Sequence, residues 1–241
     1  MKTILLKFAG PLQSWGSSSH FESRHTDPYP SKSAVLGMIA AAFGYRRDCT
    51  DKITALNKLH FAVRADQIGD IKKDYQTVHK YKFNPDKTLE RIYVTHRYYL
   101  EDAVFVAAVG HEDDVWMDRI VQALRHPYFQ LYMGRRSYPI PADYILGTVQ
   151  TDVLSALQQE PWQAAAWYRR RHSGQLDIYA DADLLQQSSI AYRKDNIVSL
   201  SLQEGRQYQL REERSLRMRV SASEDREARY SEHDIFAWVG E

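Results

Sequence analysis

The chain has 241 residues, with 32 Lys/Arg against 31 Asp/Glu and a net charge of +1, so overall charge announces no polyanionic partner. An apolar content of 44% is that of a globular protein with a real core, in one large domain or two small ones. Cys49 is the single cysteine, which excludes an intramolecular disulfide and a cysteine-built zinc site.

Lys2–Phe8 reads as a buried strand, and Lys7 interrupts the apolar run that a signal peptide would need. From Phe8 to Arg47 the chain crosses a long polar loop bearing Gln13, Ser14, Trp15, Ser17, Ser18, His20, Arg24 and His25, then enters a helix. Loops of more than about 15 residues between a strand and a helix are uncommon unless functional. Donors and stacking groups of these types suit a nucleic-acid site, with an ordinary strand–loop–helix connection as the other reading. Ser31 or Ser33 caps the helix, which ends at Gly44. The N–H groups of its first turn, at Ser31, Lys32 and Ser33, suit a phosphate. Val35, Ile39 and Phe43 share one face, and Gly37, Ala40 and Ala41 are small enough for close approach to a sheet. The apolar run Ala34 to Tyr45 is too short and too glycine-rich to cross a bilayer, so a cytoplasmic protein with no membrane partner is expected.

A short helix over Asp51–Lys58 and a strand over His60–Ala65 follow. Residues 66–100 hold few aliphatics, many charges and several tyrosines. Asn84-Pro85-Asp86-Lys87 is a turn signal between the extended runs Thr77–Phe83 and Arg91–Tyr98, which predicts a projecting hairpin, with a solvated insertion as the alternative. Ala103–Val109 reads as a central strand. Glu112–Arg125 reads as an amphipathic helix with Val115, Ile120, Val121 and Leu124 on its apolar face. The aromatic segment Tyr128–Met133 leads into Gly134-Arg135-Arg136-Ser137, where glycine permits close approach and adjacent arginines suit phosphate oxygens. A surface turn with two solvated arginines is the alternative. Ile145–Val149 reads as a fourth strand, completing the order βαββαβ of a ferredoxin-like domain.

After residue 150 the pattern is less regular. A short helix at Asp152–Gln159, the arginine run Arg169-Arg170-Arg171, and short strands at Asp177–Tyr179, Ile197–Leu202 and Gln207–Leu210 suggest a β-rich second part. The charge-rich Arg211–Glu232 reads as a solvated or partner-docking face.

Charge is uneven along the chain. Residues 1–47 carry Lys2, Lys7, Arg24, Lys32, Arg46 and Arg47 against Glu22 and Asp27. Residues 79–97 carry Lys80, Lys82, Lys87, Arg91 and Arg97 against Asp86 and Glu90. Such patches can hold a polyanion. Nine histidines show no metal-ligand spacing, and no phosphate-binding glycine loop or nucleophile elbow occurs, so no metal and no cofactor is expected. Metal-free RNA cleavage needs only a base, an acid and a cation. His20, His25, His79 and His96, with Lys80 and Tyr81, are of the right types, but nothing in their spacing selects that chemistry.

Ala9-Gly10-Pro11-Leu12-Gln13-Ser14-Trp15-Gly16, then Tyr29-Pro30-Ser31-Lys32-Ser33 running into Leu36-Gly37, resembles the N-terminal signature of the CasD family. These are the crRNA 5′-handle-binding subunits of type I-E CRISPR Cascade complexes, within the RAMP superfamily. The likeness continues at Asp74–Val78, at Thr95-His96-Arg97-Tyr98-Tyr99-Leu100, and at Tyr132-Met133-Gly134-Arg135-Arg136-Ser137, in family order over roughly residues 3–150. The resemblance implies an α+β fold: a ferredoxin-like (RRM/RAMP) domain over residues 1–150 with a thumb-like arm at about 75–99, and a smaller β-rich part over 151–241. It implies a non-catalytic subunit that binds the crRNA handle and caps the backbone filament. Its partners would be the crRNA, the repeated backbone subunit and the large PAM-recognising subunit. The RNA-binding residues expected are Gln13, Ser14, Trp15, Arg24, Ser31, Lys32, Ser33, Arg46 and Arg47; His79, Lys80, Tyr81, Lys82 and Arg97 on the arm; and Gly134, Arg135, Arg136 and Ser137. Trp15 would either stack on a base or belong to the core. A metal-independent endoribonuclease, as in the related type I-C protein, and a protein scaffold without RNA contact are the other readings.

Overall fold

The structure is a computed structural model that describes residues 1–16, 22–81, 89–186, 189–203 and 205–220. Strand β1 (Lys2–Ala9) sends Ile4, Leu6 and Phe8 to one side of a large sheet and Leu5 to the other. The run Ile4–Leu6 is apolar on both sides because both faces of the sheet are covered there. After the short strands β2 (Leu12–Gln13) and β3 (Ser23–Arg24), helix α1 (Lys32–Ala42) begins at Ser31, whose hydroxyl accepts from the Ala34 N–H. Helix α2 (Thr50–Ala55) runs on into a 3₁₀ turn at Leu56–Lys58 and delivers β4 (His60–Gln67).

Strands β5 (Asp70–Tyr81) and β6 (Leu89–Glu101) pair antiparallel along their length. The Asn84–Lys87 turn, Lys82, Phe83 and the Tyr81 side chain lie outside the described residues. Strand β7 (Val104–His111) precedes α3 (Asp114–Arg125), whose first N–H groups are capped by Asp113. The buried face of α3 is Met117, Ile120, Val121 and Leu124. Val115 was expected there but is exposed, because it sits in the first turn on the solvent side. Strand β8 (Ile145–Val149), helix α4 (Val153–Gln159, capped by Asp152) and the one-turn helix α5 (Ala166–Arg169) lead to β9 (Gln175–Asp181), β10 (Ala191–Ser199) and β11 (Gln207–Arg219).

The main sheet has seven strands in the order β10-β11-β9-β4-β7-β1-β8, all neighbours antiparallel. The last three strands extend the same sheet through the β4–β9 pairing. Helices α1, α2 and α3 cover one face with a large apolar core, and α4 covers the other. A second sheet joins β2, β6 and β3, with β5 on β6. Among the described residues no helix is long and apolar enough to cross a membrane.

The charged stretch from Arg211 departs from expectation. Arg211 and Glu213 are buried, as are Asp181, Asp195 and Lys32. Arg211 bonds Asp195, Asp181 and Glu213, while Lys32 Nζ lies 2.8 Å from Asp181. Arg193 adds a bond to Asp27, and the Tyr29 hydroxyl donates to Glu213. Burial alone would make Arg211 easier to deprotonate, but the hydrogen bond and charge of Asp195, with Asp181 and Glu213, outweigh it and raise its pKa. The stretch is thus in part an internal ion network, not a solvated face; residues 221–232 lie outside the described residues.

Candidate nucleic-acid interface

A cleft of about 1360 Å³ opens on the α1 side of the main sheet. One wall is Ser14–Gly16 with Arg24 and His25. The floor is the outer face of α1, where Ser33, Ala34, Gly37 and Ala41 follow one another at helical spacing. The second wall is Phe129–Tyr132 with Gly134, Arg135 and Arg136, and the far side combines Tyr45–Asp48 with Leu200–Gln203, Arg206 and Tyr208. Arg24, Arg46, Arg47, Arg135, Arg136 and Arg206 line it, and among the described residues Asp48 is the one carboxylate against them. Burial raises the Tyr208 pKa, and Arg206 and Arg47 pull against that shift, an electrostatic sign that both guanidinium groups face this corner.

The cleft brings together Ser14, Trp15, Arg24, Ser31, Ser33, Arg46, Arg47, Gly134, Arg135 and Arg136 from the expected set. Several of these are structural. Gln13 is wholly buried: its Nε2 donates to the Phe8 and Ala103 carbonyls, and its Oε1 accepts from Trp15 Nε1 at 2.9 Å. Trp15 is 1% exposed and tilts against Phe8, so it belongs to the core and presents no ring for a base to stack on. Lys32 points away into the ion network described above, so it cannot meet an external phosphate. The start of α1 is not vacant either. Its Lys32 N–H already donates to Asp195 Oδ2, and its Ala34 N–H to Ser31, so an internal carboxylate occupies the position expected for phosphate.

Gly134 has φ +83°, and a Cβ there would run into the Ser14 carbonyl. The close approach that glycine permits is therefore to Ser14 rather than to a ligand. Arg135 lies over the Tyr99 ring at 4.4 Å and donates through Nη2 to the Arg24 and Tyr98 carbonyls, bracing the cleft wall on β6; its buried Nη1 has no hydrogen-bond partner among the described residues. Arg136 is exposed on the rim, and Ser137 does not line the cleft.

His79 and Lys80 are exposed on β5, away from the cleft lining, and Arg97 sits half-buried beside Arg24 in the β3–β6 pairing. His25 stacks on Tyr98 at 4.9 Å and contacts Ser23 Oγ, and His96 holds the Glu22 carbonyl through its backbone. His20 lies outside the described residues.

Gly37 was expected to let α1 approach the sheet. It faces the cleft instead, and a Cβ built on it meets no atom of the described residues within 4 Å. Sequence reasoning also missed Phe129, Gln203, Arg206 and Tyr208 as cleft residues. The aromatic run before Gly134 was a usable signal for Phe129. No local pattern marks the turn between β10 and β11 as the opposite wall, because only strand pairing brings it there.

The chain is similar to known proteins along most of its length. The profile of the family described as CRISPR-associated protein (Cas_Cas5) matches residues 3–232. The CRISPR system Cascade subunit CasD of Escherichia coli (strain K12) is 34% identical over 160 residues, covering 61% of this chain and 71% of the relative. A chain of a solved CRISPR RNA-guided surveillance complex superposes with a TM-score of 0.74 at 30% identity over 90% of both chains. A crystal structure of a Cas protein superposes at 0.63 with 27% identity, over 91% of this chain and 96% of that one.

Proposed function

This chain belongs to the CRISPR-associated Cas5 family, and from that membership we propose that it is a non-catalytic subunit of a type I-E Cascade surveillance complex that binds the 5′ handle of crRNA and caps the backbone filament. The observation that carries the reading is the cleft, where among the described residues six arginines face one carboxylate around a floor of small residues and a rim that includes Phe129 and Tyr132. Sequence-specific RNA recognition favours single strands whose unstacked bases meet aromatic and guanidinium planes, with phosphates neutralised by cations. In this reading Arg46, Arg47, Arg136 and Arg206 take phosphates, Arg135 adds its charge from the wall, and bases lie over Gly37 and Phe129.

The body is then a ferredoxin-like RAMP domain over residues 1–150. The order β4-β7-β1-β8, with α1 after β1 and α3 after β7, supports this, since it is that of a βαββαβ unit. Residues 151–241 are the smaller β-rich part, whose strands lengthen the sheet and add a wall to the cleft. The β5–β6 hairpin is the thumb, reaching over the RNA towards the repeated backbone subunit, with the large PAM-recognising subunit beside the cleft and the whole complex in the cytoplasm. The experiment is to purify the chain with its companion subunits and sequence the RNA that accompanies them. RNA with one uniform 5′ end is expected, and its loss on Arg47→Glu with Arg206→Glu. Cleavage of repeat RNA by the isolated chain would overturn the non-catalytic role.

A further inference from the structure

The segment between α4 and β9 carries a feature that the cleft does not use. Helix α5 continues through tight turns, with Arg170 N–H donating to the Ala166 carbonyl and His172 N–H to that of Tyr168. Helical spacing sets Trp167, Arg170 and Arg171 on one face, at i, i+3 and i+4, and Tyr168 and His172 on the next. Tyr168 is the packed member: it meets the buried Trp162 edge-on, and the exposed His172 ring stacks on it at 3.8 Å. Trp162 Nε1 donates to the Asp66 carbonyl at 2.7 Å, Gln163 N–H to the Asp66 carboxylate, and Ala165 N–H to Gln67 Oε1. The platform is therefore fastened to the end of β4, next to the root of the β5–β6 hairpin.

The outer face is different. Trp167 is 45% exposed, and the Arg171 guanidinium lies 6.0 Å over its ring. Arg170 and Arg171 are exposed, and among the described residues neither is paired with a carboxylate. Neighbouring guanidinium groups repel one another, and an exposed indole wastes apolar surface. A single-stranded polyanion with flat bases relieves both, through phosphate neutralisation and base stacking on the indole. Leu176, against which this segment packs, shares a strand face with Ile178 and Ala180 on the α4 side of the sheet, away from the cleft on the α1 side.

We infer that Trp167, Arg170 and Arg171 form a second nucleic-acid surface, for a single strand other than the one in the cleft. The full-length chain would be titrated with a fluorescein-labelled oligodeoxythymidylate of about 12 nucleotides, within the span of single-strand sites. The titrations would use the wild-type chain and the cleft variant Arg46→Glu/Arg47→Glu. In the cleft variant, Trp167→Ala is expected to weaken residual binding by about tenfold, a stacking-sized loss. Arg170→Gln/Arg171→Gln is expected to reduce the salt slope by about 1.4, near 0.7 per phosphate. Trp167→Phe, which keeps a ring, should restore most of the affinity, and thermal melts of each variant separate loss of binding from loss of fold. Residual binding indifferent to all three changes, or absent from the cleft variant, would overturn the inference and leave an acidic protein as the partner for this face. Failure of the cleft reading has another signature: handle RNA would bind equally well to the Arg46→Glu/Arg47→Glu chain.

Discussion

The backbone N–H of Lys32 donates to Asp195 Oδ2 across 2.9 Å, tying the first turn of α1 to β10, 163 residues further on. Asp195 also accepts from two nitrogens of Arg211. One carboxylate thus stabilises a helix N-terminus and a buried guanidinium at once. Asp195→Ala would leave Arg211 buried with its strongest partner gone, and removing one member of a buried pair costs about 3–5 kcal/mol. Urea unfolding is expected to register a loss of that size. A variant as stable as the parent would mean that water replaces the carboxylate.

The same contacts bear on truncation. Lys32 needs Asp181, and the wholly buried Arg64 donates to the carbonyls of Leu157, Glu160 and Pro161 as well as to Asp66. A fragment of residues 1–150 would leave the buried Lys32 without its carboxylate and the buried Arg64 with Asp66 but without the three carbonyls. It is expected to lack a cooperative thermal transition; a sharp melt near that of the whole chain would contradict this.

Gly37 offers a separation of fold from binding. A side chain there enters the cleft and meets no neighbour, and leucine is a better helix former than glycine by about 0.8 kcal/mol. Gly37→Leu should therefore keep or raise the melting temperature while reducing affinity for handle RNA at least tenfold, the mark of a filled site. Unchanged affinity would move the RNA off the α1 floor.

Arg135 and Arg136 are adjacent in sequence but do different work. Arg136 is exposed on the rim, so Arg136→Ala should lower the salt slope of RNA binding by about 0.7 and leave stability alone. Arg135 braces the Arg24 and Tyr98 carbonyls and lies over Tyr99, so Arg135→Ala should also lower stability, by about 1–3 kcal/mol. Paired melting curves and salt titrations read the split; identical behaviour of the two variants would refute it.

These distinctions mark what was legible in the sequence. β7 is apolar on both faces, β1 and β4 carry apolar runs on one, and α1, α3 and α4 begin at Ser31, Asp113 and Asp152, so local pattern and capping chemistry sufficed. β10 begins at Ala191, well before the expected Ile197, and β11 runs to Arg219, well past the expected Leu210, because both strands are filled with charges that look solvated until paired. Lys32 and Arg211 look like surface cations for the same reason; their partners are distant in the chain. Trp15 and Gln13 are ambiguous locally, since a loop indole beside a glutamine suits a base or a core, and only the Phe8 and Ala103 carbonyls decide for the core.

The hairpin of β5 and β6 has two unlike faces. The register pairs Ile71 with Leu100, Lys73 with Tyr98, Tyr75 with His96, Thr77 with Val94 and His79 with Ile92 on one face, and Asp74 with Arg97, Val78 with Tyr93 and Lys80 with Arg91 on the other, more charged one. Ile71, Tyr75, Ile92 and Val94 are exposed, an apolar stripe with no covering element among the described residues. Two strands alone bury little and are marginal in water, so on the proposed function this arm is expected to gain order from what it packs against. In the proposed complex that is the neighbouring backbone subunit, with the basic face towards RNA. Replacing residues 79–94 by a short Gly-Ser turn removes the outer arm and leaves the Leu12–Glu101 and Gln13–Leu100 pairings of β2 with β6 in place. The body should melt within a few degrees of the parent, since the main sheet loses nothing, while assembly onto crRNA with the backbone subunit fails in size-exclusion chromatography. Charge substitution on one face only, Ile92→Lys with Val94→Lys, should block assembly as well yet spare RNA binding by the isolated chain. Normal assembly of the shortened chain would reduce the arm to a solvated insertion.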